Sequence, residues 1–320
     1  VSYLLAGITV WLLLLLALRL ATPLIERWLL PLHPAEASLL LWVVLLLPFC
    51  SALIIALELT SPGWSHWFVS EHCHNLISSQ APGGGLEQLL LCGQHAPLVP
   101  HIPWLKSLAM LAAALFSGAL MYRLWRSQQT VQSFIALADP HSLTNVYVLP
   151  SDEPVAFTLG YWRSRIFISR GLIERCSEHT IHAVVEHERA HQLRHDNLRL
   201  FIAKLAVLPG GWFLQRLLNR LELANEQACD CYATRFVAPA DVATSIVTVA
   251  RLHKRFFESQ MPEAASYFCR SHIPERVKAL LDYQYPEKAG WHRLLWLGAS
   301  ALVAITLLLD PLHHWIEWWH

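Results

Sequence analysis

The chain has 320 residues, of which 54% are hydrophobic and 15% charged, and its 24 basic and 24 acidic side chains balance to zero. Its mean hydropathy is +0.36. These values exclude a disordered polar chain and direct nucleic-acid binding through a clustered basic face, and they point to a protein in contact with a lipid bilayer.

Four stretches approach the roughly 20 apolar residues that span a bilayer: residues 3–20, 38–57, 104–124 and 294–309. The first lacks a basic leader and a small-residue cleavage site, so a retained span is expected rather than a signal peptide. Arg19 and Arg27 lie at and just beyond its end. No Lys or Arg occurs from 28 to 103, and the remainder run from Lys106 to Arg293. Basic loops stay in the cytoplasm. The short first loop and the region between spans three and four are therefore predicted inside, with loop 60–103 and both termini outside. The expected divisions are 1–125 for three spans and the external loop, 126–289 for a cytoplasmic domain, and 290–320 for the fourth span with a short external tail. Trp315, Trp318 and Trp319 in that tail fit an interfacial anchor.

Cys73 and Cys92 fall in the external loop, where an oxidising compartment permits a disulfide between them; free thiols are the alternative. In the cytoplasmic domain, 145–149 and 165–169 are rich in β-branched and aromatic residues, with 154–158 between them, and predict a small sheet. Ala156, Phe157, Thr158, Leu159 and Gly160 form the candidate edge along which a peptide adds as a strand. The alternative is a structural hairpin.

The most informative element follows. His187-Glu188-Arg189-Ala190-His191 spells H-E-x-x-H after Val184 and Val185, which mark the buried face of a helix. Residues four apart share a helix face, so both imidazoles can reach one metal ion. Glu188 then stands beside the metal, where a carboxylate can take a proton from bound water. His195 and Asp196, one turn on, are read as second-layer or structural groups.

Residues 198–208 and 212–221 are apolar arms broken at Pro209-Gly210-Gly211; the first, too short to span and carrying Arg199 and Lys204, is expected to pack in the core or lie against the bilayer surface. A catalytic zinc needs a third protein ligand and an open position. Glu226 in Glu226-Gln227-Ala228-Cys229-Asp230 is the preferred one, with Glu222 and the pair Cys229 and Cys231 as rivals. Asp230, four residues after Glu226, can orient a ligand histidine.

Most of the chain resembles the BlaR/MecR-type family of integral-membrane zinc peptidases, the antirepressor class. The resemblance rests on Pro154–Gly160 with the strand at 165–169, on Glu186-His187-Glu188-Arg189-Ala190-His191, and on Arg194-His195-Asp196. Glu226–Asp230 and the basic helix from Glu275-Arg276-Val277 to Leu281 complete it. It implies an α-helical membrane protein with four transmembrane helices plus an α+β cytoplasmic gluzincin-type zinc peptidase domain. One Zn2+ would be held by His187, His191 and Glu226, with Glu188 as general base. The implied localisation is the bacterial inner membrane, and the implied substrate a protein such as a transcriptional repressor. In the antibiotic-sensing members a penicillin-binding sensor domain follows the fourth span, where only residues 310–320 stand here, so sensing is expected to fall to loop 60–103, the spans or a separate sensor partner; a homo-oligomer is the other partner considered. Two alternatives stand beside this reading: an HtpX-like membrane quality-control protease, and a non-catalytic receptor with structural zinc.

Overall fold

The computed structural model describes residues 2–29, 31–60, 73–75, 89–91, 103–140, 145–260 and 272–282. Two long apolar helices, α1 (Ser2–Leu29) and α2 (Pro34–Thr60), form a hairpin closed by a short turn. A two-stranded antiparallel ribbon follows, β1 (Cys73–Asn75) with β2 (Leu89–Leu91). It pairs Cys73 with Leu91; Cys92 itself lies outside the described residues. Helix α3 (Pro103–Leu137) runs without a break from the third apolar stretch into the domain. Residues 294–309, the expected fourth span, also lie outside the described residues. Among the described residues one helical stretch, Pro34–Leu53, is long and apolar enough to cross a membrane, and 44% of its most apolar window is buried inside the protein.

Four short strands make the sheet: β3 (Asp139–Pro140), β4 (Val146–Leu149), β5 (Ala156–Leu159) and β6 (Arg165–Ser169). Their order is β3-β4-β6-β5, with β4 parallel and β5 antiparallel to β6. Strand β6 is thus central although it comes last in sequence, and β5 is an edge. Alternation along β6 assigns its two faces. Ile166 and Ile168 pack with Val146, Leu172 and Val185, while Phe167 stacks with Phe134 of α3, Tyr147 and Phe157. Gly160, at φ +106°, turns the chain out of β5 in a conformation that disfavours any side chain.

After a short helix α4 (Arg170–Arg175), helix α5 (Glu178–Arg194) starts at Ser177, whose hydroxyl accepts from the Thr180 N–H. It stops at His195, held in the left-handed region at φ 52°, and α6 (Asp196–Ala206) begins at the next residue. A 3-10 turn at Leu208–Gly210 leads into α7 (Gln215–Ala233), then α8 (Pro239–Gln260) and α9 (Ile273–Leu281).

A hydrophobic core joins the α1–α2 hairpin to the domain. Leu15 and Leu18 of α1 and Leu41 and Leu45 of α2 pack on Ala203, Val207, Leu217 and Leu221. Of the two placements expected for the first apolar arm, core packing is the one observed. Polar ties reinforce it: Trp42 Nε1 donates to the Arg199 carbonyl at 2.8 Å and Trp11 Nε1 to that of Ala206 at 3.0 Å. Glu26 pairs with Arg216 and Arg220.

Candidate metal centre

Helix α5 presents His187 and His191 on one face, their rings 4.9 Å apart, because residues four apart stack along a helix. Helix α7 crosses α5 and brings the Glu226 carboxylate against both: Oε2 is 3.5 Å from His187 Nε2, and Oε1 is 3.5 Å from His191 Nε2. The other ring nitrogens face two further carboxylates. His187 Nδ1 is 2.9 Å from Asp230 Oδ1, close but without the alignment of a formal hydrogen bond. His191 Nδ1 lies 3.0 Å from Asp196 Oδ2.

The sharp corner at His195 delivers Asp196. A left-handed residue reverses the chain within one step, so the first residue of α6 folds back under the last turn of α5. Asp196 is buried and also pairs with Arg194 at 3.1 Å and Arg199 at 3.3 Å. His195 is exposed and makes the turn; it does not reach the cluster.

Arg276 of α9 completes the layer. Its guanidinium donates to both oxygens of Asp230, at 2.8 and 2.6 Å, and forms an ion pair with Glu226 Oε2 at 2.8 Å. Burial favours the uncharged carboxyl of Glu226, but His187, His191 and Arg276 outweigh it and hold Glu226 well below the usual carboxylate range. Burial likewise opposes a charged His187, and the Asp230 and Glu226 carboxylates more than offset it, raising its pKa. Cys229 is fully buried, 3.3 Å from His191 Nδ1, and burial pushes its thiol up to about 12. It is a neutral neighbour at physiological pH.

Glu188 points into a cavity of about 480 Å³ between β5 and α8, whose walls include Phe157, Thr158, Val242, Ile246 and Val249. Thr158 Oγ donates to the Glu188 carboxylate at 2.8 Å. The Glu188 carboxylate, the three convergent donors and the β5 edge therefore share one cleft.

Residues 125–284, half of the chain, match the family model of peptidase family M48. The chain belongs to peptidase family M48. This makes it a metallopeptidase of a typically zinc-dependent family, while the match stops short of the BlaR/MecR type. No curated protein and no solved structure matches it.

The donor set of this M48 chain fits zinc. One atom each from His187, His191 and Glu226 lie within 4.8 Å of one another. Tetrahedral zinc with ligands at about 2.0–2.1 Å places ligand atoms roughly 3.4 Å apart, close to the two 3.5 Å separations. The rival Glu222 is turned away, paired with Lys204 at 2.9 Å. Cys229 falls in a second group with His191 and Asp196, on the far side of the same imidazole. Sequence reasoning assigned no role to Arg276, Asn197 or the Thr158 hydroxyl. Arg276 lies in a helical stretch after the E-x-x-C-D element that also carries Glu275 and Lys278, and nothing local told which of these charges pointed to the site.

Proposed function

We propose that the chain is an integral-membrane zinc endopeptidase that hydrolyses a peptide bond in a cytoplasmic or membrane-proximal protein. One observation carries the reading: His187, His191 and Glu226 converge at ligand spacing beside Glu188, in a cleft edged by β5. Held by those three residues, zinc supplies Lewis-acid polarisation of a carbonyl and acidification of a water. Glu188 takes the proton of the attacking water and passes it to the leaving amine. The Thr158 hydroxyl holds the Glu188 carboxylate in place, and Asp230 and Asp196 orient the two imidazoles. Strand β5 offers outward backbone groups to an extended peptide. A structural zinc would leave Glu188 without a task, so the receptor reading explains less.

The uneven placement of Lys and Arg supports a multi-pass inner-membrane protein with the peptidase domain inside. Exposed Leu13, Leu16, Leu20 and Leu24 on α1, and Leu115 and Met121 on α3, are suited to lipid. A regulatory substrate such as a transcriptional repressor follows from the BlaR/MecR-type resemblance.

The test compares the full chain with Glu188→Ala, both purified in detergent, for bound zinc and for cleavage of co-expressed proteins. Zinc in both and cleavage in the unaltered chain alone is the expected result. A single cleaved regulator fits the antirepressor role, whereas broad degradation of damaged membrane proteins would replace it with quality control. Failure of the unaltered chain to hold zinc after reconstitution would overturn the reading.

A further inference from the structure

Strand β5 does not offer its whole edge. In an antiparallel pair, alternate residues direct both backbone groups at the partner strand, and those between direct theirs away. The Val155 carbonyl accepts from the Ser169 N–H at 2.9 Å, and Phe157 lies opposite Phe167. Val155, Phe157 and Leu159 are therefore turned to β6, and Ala156 and Thr158 to the cavity. Of those outward groups, the Thr158 carbonyl is already taken: Asn197 Nδ2 donates to it at 2.8 Å and reaches the Gly160 carbonyl at 3.4 Å.

Asn197 is well anchored. It sits in the first turn of α6, next to Asp196 with its contacts to His191, Arg194 and Arg199. It also lines the cavity. Thr158 is thus the position where the strand edge meets both Glu188, through its hydroxyl, and Asn197, through its carbonyl.

We propose that Asn197 is a register stop: by occupying the outward carbonyl of Thr158 it closes the Gly160 end of the edge and fixes which bond of an extended peptide faces Glu188. It is a specificity-determining residue, and the proposal rests on the endopeptidase reading above. A peptide pairs with Ala156 and with the Thr158 N–H, and then leaves the strand. Residues on the paired side of the cut bond are read between β5 and the apolar wall of Val242, Ile246 and Val249. Those on the other side have no strand to pair with and are read loosely.

Strand pairing repeats every two residues, so freeing the Thr158 carbonyl lets a peptide slide by that step. The test uses the zinc-loaded full chain in detergent with a random-sequence peptide library, mapping cuts by mass spectrometry. The unaltered chain is expected to show sequence preference on one side of the cut only. Asn197→Ala and the isosteric Asn197→Asp, which lacks the amide donor, should gain preference on the second side and add cuts two residues from the main one. A second readout needs no turnover: in a Glu188→Ala background, Asn197→Ala should tighten binding of long peptides several-fold and of short ones little. If the unaltered chain cuts nothing, the endopeptidase reading fails. If it cuts, and both variants keep its one-sided pattern with no new cuts, the register stop is refuted. Loss of zinc from both variants also refutes it, because Asn197 is then a structural tether.

Discussion

Arg276 pairs at once with the buried carboxylate of Asp230 and the partly exposed one of Glu226. Removing one partner of a buried ion pair leaves an uncompensated charge, which costs about 3–5 kcal/mol. Arg276→Ala should destabilise the chain by that order in thermal unfolding and weaken zinc binding measured by chelator competition. Arg276→Lys should rescue little, since an ammonium cannot reproduce the two-point grip on Asp230. The same cluster sets the pH response of the protein after zinc removal. His187 has a raised pKa, so its contribution is present below its ordinary 6.5 and is lost as pH rises through the folded value. Glu226 has a lowered pKa, so its contribution is present above 4.5 and is lost as pH falls through its folded value. The chelator-treated chain should melt highest between those values. The extra stability conferred by zinc should grow as pH rises, because ligand histidines must shed their protons. Melting curves with and without chelator across pH check both slopes.

At the scale of elements, the corner between α5 and α6 does much with one residue. His195 accepts a left-handed conformation that costs a non-glycine residue about 1–2 kcal/mol, and the turn places Asp196 under His191 and Asn197 against β5. His195→Gly relieves that strain at some cost in chain entropy. It should raise stability by up to about 1 kcal/mol with zinc content unchanged, whereas β-branched His195→Val should lower both melting temperature and zinc content. The sheet shows a second element-level effect. The β-rich segments of the domain are recognisable from composition, but their spatial order is not, because β6 pairs in parallel with β4 and leaves β5 outside. That order is what makes β5 an edge.

Across the whole molecule, the α1–α2 hairpin and the helices that carry the candidate site share one core. Leu214, Leu217, Leu218 and Leu221 of the α7 region pack with Leu15, Leu41 and Leu45, and burying each leucine contributes about 1.5–3 kcal/mol. At the end of that core nearest the metal centre, Ser38 Oγ lies 2.5 Å from Asn225 Oδ1 and accepts from Arg194 at 2.7 Å. Arg194 in turn holds Asp196. A fragment of residues 125–284 therefore uncovers surface worth a large part of the 5–15 kcal/mol that stabilises a typical domain. It should aggregate or lose zinc when expressed alone, and co-expression with residues 1–60 should restore both solubility and metal content.

Sequence alone determined whatever depends on local geometry. The four-residue spacing of His187 and His191, with Glu188 beside them, is a property of any helix carrying H-E-x-x-H, and the charge asymmetry along the chain needs no fold to be read. The spacing of Glu226 and Asp230 likewise placed both on one face, though not which face met α5. Tertiary structure alone decided what depends on the crossing of distant elements. Among these are which face of α7 turns to α5, bringing Glu226 against the two histidines and leaving Glu222 with Lys204, and the arrival of Arg276 from a helix about 50 residues on. The edge position of β5 and its closure by Asn197 belong there too. Helical periodicity is written within a few consecutive residues; the meeting of two helices or the order of a sheet is settled by packing over the whole chain, which no short segment records.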